Sequence, residues 1–587
     1  MYRTHTCGQL NAINIEKTAQ LSGWVHARRD HGGIIFIDLR DRYGITQIVF
    51  NPDCKDFETA STLRREDVIT IDGNVIKRKQ GMENSKISTG EIEVDVKKLV
   101  IVNRAMTPPM EIDDKKVANE ELRLKYRYID LRRPIMQKNL IFRHNVILAA
   151  RNYFNAHDFI EVETPIMVKP TPEGARDYVV PSRVNPGKFF ALPQSPQLYK
   201  QILMVAGMDR YYQVARCMRD EDLREDRQPE HTQFDIEMSF VTSDDIRAFV
   251  EGLVKHIFKE VKGIELKKFP LFSYKTAMER FGSDKPDIRF GLELVDITEI
   301  AKRTEFGVFK NAEVIKCLAP EKELTRKEIE DYTEFTKIYG AKGLAWAKVV
   351  GGKLESSVSK FISEDLQKEI ITKANAKDGS TILFIADKKK KTETILGQLR
   401  KRLRDDLGIV KGREEEFAFC WINDFPLFAY NEEEQKWEPE HHMFSTPKQE
   451  FVDDFETRPA EVLGDLWDLA LNGVELSSGS IRISNPQLQE RIMNFVGIDK
   501  EAAHRKFGFL LDAYNYGGPI HGGMGVGVDR LCAMMLGFTD IREVIAFPKN
   551  KNAQCPMDGS PADLEPHQLK ELHIKLNLPE KKVEPQQ

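Results

Sequence analysis

The chain opens on short runs in which apolar and polar residues alternate. Leu21–Ala27, Ile34–Arg40 and Ile45–Phe50 have the period of two that predicts strands, with Gly32-Gly33 and Tyr43-Gly44 as turn signals at their joints. Asp56–Glu66 has helical character, and Val68–Lys77 and Glu91–Val102 predict two further strands. Thr107-Pro108-Pro109 then breaks structure, and the polar stretch Glu111–Glu121 predicts a hinge. Beyond it the period lengthens. Ile141, Val146, Ile147, Ala150, Tyr153 and Phe154 are spaced as on one helix, Ile135–His157, which runs into a strand, Phe159–Thr164, stopped by Pro165. The apolar strand Tyr212–Met218 leads into a loop rich in charge. Phe234-Asp235-Ile236-Glu237 follows, and its alternation puts both carboxylates on one face. Near the end, Gly523, Gly525 and Gly527 alternate with Met524 and Val526, and Arg530 follows. Glycines on one face of a strand let a flat ligand or another backbone come close.

Composition bounds what these elements build. At 587 residues more than one domain is expected, and 41% hydrophobic with 30% charged residues suits a soluble globular protein with sizeable cores. No apolar run reaches the roughly 18 residues of a membrane span, and Met1–Thr6 lacks the apolar core of a secretory signal. The seven cysteines are scattered and form no CxxC pair, so neither a structural zinc nor a disulfide framework is expected. A cytoplasmic location follows as the expectation. With a net charge of −5, any nucleic-acid binding must use local patches.

Three strands, a helix and two strands form the element order of an OB-fold, a barrel that commonly binds oligonucleotides across strands two and three. Phe36 and Gln47 fall on those strands, Arg28 and Arg29 just before them, and Arg78 after strand four. An aromatic ring among basic and amide groups suits single-stranded RNA, the ring stacking on a base and the amide reading its edge. On this segment alone the alternative, Phe36 in a core with the arginines solvated, is the better reading.

The Gly522–Leu531 stretch is not a dinucleotide loop. That motif needs its glycines after a strand and at a helix start, whereas these lie within the alternation itself. Together, the long helix with its strand and proline, the Arg219-Asp220-Glu221 hairpin loop and the glycine strand with Arg530 resemble motifs 1, 2 and 3 of the class II aminoacyl-tRNA synthetases, in that family's order. Thr171–Tyr178, Ala191–Lys200 and Phe507–Ala513 narrow the likeness to the bacterial-type aspartyl-tRNA synthetases, across nearly the whole chain.

The resemblance implies an α+β multidomain fold: an OB-fold anticodon-binding domain (1–107), a hinge (108–134), an antiparallel-sheet catalytic domain in two parts (135–282 and 408–560), an inserted α+β GAD domain (283–407) and a C-terminal extension (561–587). It also implies roles. Glu173, Ser195, Gln197, Lys200, Arg219, Asp235, His441 and Arg482 match the aspartate pocket, Arg482 meeting the side-chain carboxylate. Arg219, Asp220, Glu221, Gln228, Glu475, Gly527, Val528, Asp529 and Arg530 match ATP contacts, with Asp468 and Glu475 as Mg²⁺ ligands and Arg219 and Arg530 as the catalytic cations. Arg28, Phe36, Gln47 and Arg78 become anticodon contacts, which reverses the reading of that segment taken alone. An Arg–Lys pair accounts for aspartate over asparagine, since a neutral amide leaves buried cations unpaired. The chain departs from the family in two loops, His441-His442-Met443-Phe444-Ser445 and Ser477-Ser478-Gly479, each keeping its polar groups.

The implied activity is activation of L-aspartate with ATP to aspartyl-adenylate, then transfer to the 3′-terminal adenosine of tRNA(Asp), by a homodimer. An alternative within the family also charges tRNA(Asn), and His31 and Gly81 match residues of such members. Two further alternatives are an asparagine-forming ligase that works without tRNA and a non-catalytic RNA-binding relative. The OB-like segment speaks against the first, and intact Arg219, Glu475, Arg482 and Arg530 against the second. Lys388–Lys391 reads as a solvated loop, with a tRNA contact as the sharper option, and the tail from about Leu576 reads as disordered.

Overall fold

The computed structural model describes residues 2–171 and 175–578. It divides into two compact units, one of residues 1–139 with 555–560 and one of residues 140–554 with 561–587. Glu173 and the tail from Pro579 lie outside the described residues.

The first unit is built on a closed five-stranded barrel of order β1-β2-β3-β5-β4: β1 (Thr18–His31), β2 (Ile34–Asp41), β3 (Gly44–Phe50), β4 (Val68–Lys77) and β5 (Ile92–Asn103). The period-two pattern works as expected. Leu21, Val25, Ile35, Ile37, Leu39, Ile48, Ile69, Ile71, Val94 and Val96 fill the interior, while alternate residues face out. β1 runs four residues past its expected end, so Arg28 and Arg29 lie within a strand rather than before one. The expected Asp56–Glu66 helix is only Phe57–Ser61. Glu66, at φ 69°, is turned away from helical geometry to place its carboxylate in the interior. There it takes both NH2 bonds of Arg40 and one from Arg132, at 2.8–3.0 Å. The expected hinge is therefore packed: Arg132 holds it to Glu66, and Met110, Ile112 and Ile129 form its own small core.

The second unit carries an eight-stranded sheet. In spatial order its strands are Leu271–Ser273, Phe419–Asn423, Leu466–Leu471, Val474–Ile481, His521–Gly527, Glu230–Ser239, Arg210–Met218 and Ile160–Glu161. All neighbours run antiparallel except the two edge pairs. One face is covered by helices. Pro134–Ala156 brings Val146, Ala150 and Phe154 against Tyr212, Phe234 and Ile236, the Phe154 and Tyr212 rings stacking at 4.1 Å. Ser243–Lys262 adds Ile246, Val250, Leu253 and Ile257 to the same core. It starts at a Thr242/Asp245 capping box and ends at Gly263 in the left-handed region, φ 69°. Ile141, expected on the apolar face of the long helix, is exposed with Leu148. The strand after that helix shrinks to two residues, because it has a pairing partner on one side only.

The inserted segment forms its own five-stranded antiparallel sheet, Val295–Asp296, Val314–Leu318, Thr381–Asp387, Ala345–Val350 and Lys353–Glu355 in spatial order, with separate cores on its two faces. Lys388–Lys391 is not a solvated loop. It enters the helix Lys389–Asp406, with Lys389 bound to Glu279 at 2.7 Å and Lys391 to Asp387 at 2.8 Å.

Candidate active site

The other face of the large sheet is polar and carries a cavity of about 1080 Å³. The pairing register explains why. Gly523, Gly525 and Gly527 stand opposite Glu237, Asp235 and Gln233 on one side, and Gly523 and Gly525 opposite Ser480 and Ser478 on the other. Met524, Val526 and Ile236 point into the core instead. The three glycines serve different ends. A Cβ on Gly523 would overlap the Ile236 carbonyl and the Glu237 carboxylate. Gly527 has no atom nearer than 3.7 Å to such a Cβ and lines the cavity with Gly525. The floor open to a ligand is thus Gly525 and Gly527, while Gly523 makes room for a carboxylate.

That carboxylate organises one end of the cavity. Glu237 Oε1 accepts from Arg482 Nε at 2.9 Å, and Glu237 Oε2 lies 3.2 Å from Lys200 Nζ. Lys200 also donates to Asp235 Oδ1 at 3.1 Å, and Gln233 Nε2 donates to Asp235 Oδ2 at 2.6 Å. All three charged partners of this bridge, Lys200, Glu237 and Arg482, have almost fully buried side chains. Burial by itself would raise the Glu237 pKa, but Arg482 and Lys200 outweigh it and hold it at about 2. Arg482 spends its remaining donors on Ser480 Oγ (2.7 Å), Gly523 O (3.0 Å), Glu237 Oε2 (3.3 Å) and His442 Nε2 (3.2 Å). A guanidinium has five N–H groups, so all are engaged. Burial, with the Arg482 charge beside it, pushes the His442 pKa well below the ordinary histidine value, so this ring is a neutral acceptor.

The rest of the cavity carries charges of both signs, and its arginines are less completely satisfied. Arg530, two residues into the helix Val528–Met535, donates to Glu475 O at 2.5 Å and reaches Asp226 Oδ2 at 3.3 Å, but its buried Nε has no partner among the described residues. Among the described residues Arg219 reaches only the Gln194 carbonyl, at 3.5 Å. Between them, burial and then Arg219 and Arg530 lower the His231 pKa to about 3, leaving a neutral ring. Gln228 is held by a reciprocal pair with the Lys549 backbone, at 2.8 and 3.2 Å. Among the described residues Gln197 Nε2 is also buried without a partner. Buried polar atoms left unmatched at a cavity wall are what a polar ligand would complete.

Most of the expected residues converge here. Ser195, Gln197, Lys200, Arg219, Glu221, Gln228, Asp235, His441, Glu475, Arg482, Gly527, Asp529 and Arg530 all line the one cavity. Some do not serve as expected. Asp220 is half exposed, 3.7 Å from Arg176, and is not part of the lining. Val528 is fully buried in the hydrophobic core. The Asp529 carboxylate is committed to the Thr232 amide, at 2.8 Å, and to Arg143 of the long helix, so it ties the three motif segments together. Asp468 lies behind the lining, its Oδ2 3.9 Å from His441 Nε2 and its buried Oδ1 unpartnered. Burial opposes protonation of His441, but Asp468 and Glu475 raise its pKa above the ordinary value. Among the described residues no group of three or more His, Cys, Asp or Glu could hold a metal by itself.

On the barrel, Phe36 is half-buried on the outer face of β2, paired with Arg29 of β1 and Val49 of β3. Arg29 forms a bidentate pair with Asp38 at 2.8 Å and reaches Gln47, which donates to Glu93 at 2.7 Å. Arg78 is buried, bound to the Ile92 carbonyl, with NH2 unpartnered. Arg28 leaves this face: its guanidinium is bound to the carbonyls of Ser61 and Leu63. His31 and Gly81 are exposed.

Residues 119–551 match the family described as tRNA synthetases class II (D, K and N). The chain belongs to the class II tRNA synthetases. Residues 19–102 of this synthetase match an OB-fold nucleic acid binding domain. It is 49% identical to an aspartate–tRNA(Asp/Asn) ligase of Rubrobacter xylanophilus, with 98% of both chains covered. It is 50% identical to one of Treponema denticola, over 98% of this chain and 99% of the relative. An aspartate–tRNA ligase of Ruminiclostridium cellulolyticum is 48% identical over 98% of both. An asparaginyl-tRNA synthetase from Pyrococcus horikoshii, complexed with asparaginyl-adenylate, shares the fold at 19% identity and a TM-score of 0.59, over 96% of this synthetase and all of that chain.

Glu237, His442, Gln233 and His231 were not among the expected site residues. Alternation had put Glu237 on the same face as Asp235. What it could not show was that Lys200 and Arg482 arrive on either side of it. No helix of the described residues is long and apolar enough to cross a membrane.

Proposed function

We propose that the chain is an aspartate–tRNA ligase that couples ATP-driven activation of L-aspartate to charging of tRNA(Asp). The observation that carries this reading is the buried Lys200–Glu237–Arg482 bridge at one end of a cavity whose other end holds Arg219 and Arg530. The bridge supplies two cations on a fixed carboxylate, a setting suited to an acidic side chain. Because every Arg482 donor is already engaged, the substrate carboxylate enters by replacing its weakest partner, neutral His442. Asparagine cannot follow: its amide brings no charge to offset the displaced contact. Asp235 faces the same space and takes the α-ammonium.

The α-carboxylate then attacks the α-phosphate of ATP, forming the mixed anhydride and releasing pyrophosphate. Arg219 stabilises the charge that grows on the transferred phosphorus, and Arg530, with its free Nε, lies over the nucleotide on the Gly525–Gly527 floor. The terminal ribose hydroxyl of tRNA attacks the acyl carbon of the anhydride in turn, forming the aspartyl ester and releasing AMP and the hydroxyl proton. No side-chain nucleophile is needed, because positioning and charge carry both steps. Glu475 and the unpartnered Asp468 Oδ1 fit Mg²⁺, which is commonly bound by one or two carboxylates plus substrate phosphates. The ion would neutralise phosphate charge there.

Phe36, Gln47 and Arg78, with Arg29, form the anticodon face of the OB-fold domain. Exposed Ile141, Leu148 and Ile160 on the motif 1 segment suit a two-fold homodimer contact. Relaxed specificity toward tRNA(Asn) is a second reading, favoured by the relatives' names and by exposed His31 and Gly81. Aminoacylation of purified tRNA(Asp) and tRNA(Asn) with labelled aspartate tests both. Failure to charge tRNA(Asp) overturns the main reading, and charging of tRNA(Asp) alone overturns the second.

A further inference from the structure

Glu475 is not free. Lys285 Nζ lies 3.4 Å from Glu475 Oε2 and 3.6 Å from Asp284 Oδ2.

Lys285 stands at the entrance to the inserted segment, on a backbone that the insertion grips. Arg400, buried within the helix Lys389–Asp406, donates to the carbonyls of Asp287, Phe290, Gly291 and Leu292 at 2.9–3.0 Å. Arg404, one turn on, binds the Asp287 carboxylate at 3.1 Å, and Arg289 binds it at 2.7 Å. Asp287 in turn packs against Gly473. Its Cβ would be 3.1 Å from a Cβ placed there, and Gly473 has φ 88°. Gly473 is in the turn just before the strand that bears Glu475. One short segment therefore touches the Glu475 hairpin at its turn through Asp287 and at its carboxylate through Lys285.

We propose that Lys285 is a positioning residue, a resident cation that occupies the Glu475 carboxylate until metal-bound nucleotide displaces it, and that the inserted segment fixes it there through Arg400 and Arg404. The ammonium lies between the Glu475 and Asp284 carboxylates in the nucleotide-free enzyme and disfavours occupation of Glu475 by a lone divalent ion. Metal arriving with ATP brings phosphate ligands that compensate for the loss of the lysine contact. The released ammonium is then free for the phosphates.

The inference rests on Glu475 being a metal ligand, and the test separates the two. Mn²⁺ binding to the full-length protein is followed by EPR, first without nucleotide and then with ATP. Lys285→Met should bind Mn²⁺ about two- to fivefold more tightly without nucleotide, the scale of one partly exposed ion pair. Lys285→Arg should restore wild-type weakness, and Arg404→Gln should shift affinity in the same direction as Lys285→Met. Wild-type Mn²⁺ affinity in Lys285→Met overturns the assignment. Glu475→Gln should lose the ATP-dependent Mn²⁺ signal. If it keeps it, the metal role of Glu475 fails as well, whereas loss there with no change in Lys285→Met removes only the Lys285 assignment.

Discussion

Glu237→Gln is the sharpest perturbation of the site. The amide matches the carboxylate in shape, so the close fit over Gly523 is kept and only the charge is removed. Glu237 is fully buried between Arg482 and Lys200, and its pKa of about 2 lies well below the 4.5 of a free glutamate. At 1.36 kcal/mol per unit, that depression corresponds to about 3 kcal/mol of stabilisation at neutral pH. The sign follows from the direction of the shift. The stabilisation is fully present above about pH 4.5 and is lost as pH falls from there toward 2. Breaking a buried pair from one side costs about 3–5 kcal/mol, because the remaining charge is left uncompensated. Lys200 keeps Asp235, so Arg482 bears most of the loss. Equilibrium urea unfolding at pH 7 should show the catalytic unit of Glu237→Gln destabilised by about 3 kcal/mol, with the wild-type advantage fading below pH 4.5. In pyrophosphate exchange, kcat/KM for aspartate should fall about 100-fold as Arg482 loses its orientation, while KM for ATP stays within about twofold. A variant of wild-type stability with an unchanged aspartate KM would refute the claim that Glu237 holds the pocket cations in place.

Gly523→Ala and Gly527→Ala should separate the two jobs of the glycine strand. The first places a methyl on the Ile236 carbonyl and should cost about 1–3 kcal/mol or more in stability, together with all activation, whereas the second should fold normally and raise only the KM for ATP. Equal effects of the two in thermal unfolding would contradict the assignment. Phe36→Ala should leave aspartate-dependent pyrophosphate exchange intact and weaken tRNA charging by the worth of one stacked base, about 1–3 kcal/mol. Unchanged charging would remove Phe36 from the anticodon face.

Much of this protein could be read along the chain because its signals are local. Strands with one buried face must alternate, so the barrel strands are visible in Leu21–Ala27, Ile34–Arg40 and Val68–Lys77, and the long helix in the spacing of Val146, Ala150 and Phe154. The three motifs are contiguous strings; residues of the second and third line one cavity, and the helix of the first is tied to it through Arg143 on Asp529. What the chain alone could not decide is which neighbour each of those residues acquires. Glu237 lies 37 positions after Lys200 and 245 before Arg482, and only sheet pairing makes it their shared counter-ion. The same pairing assigns Gly523 to a carboxylate and leaves Gly525 and Gly527 to the cavity, although all three look alike in sequence. Arg28 and Arg29 are adjacent, yet the strand's two faces send one to the Ser61 and Leu63 carbonyls and the other to Asp38 and Gln47. Charge pairing in a buried site acts over a few ångströms in space, and hydrophobic periodicity carries no information about it.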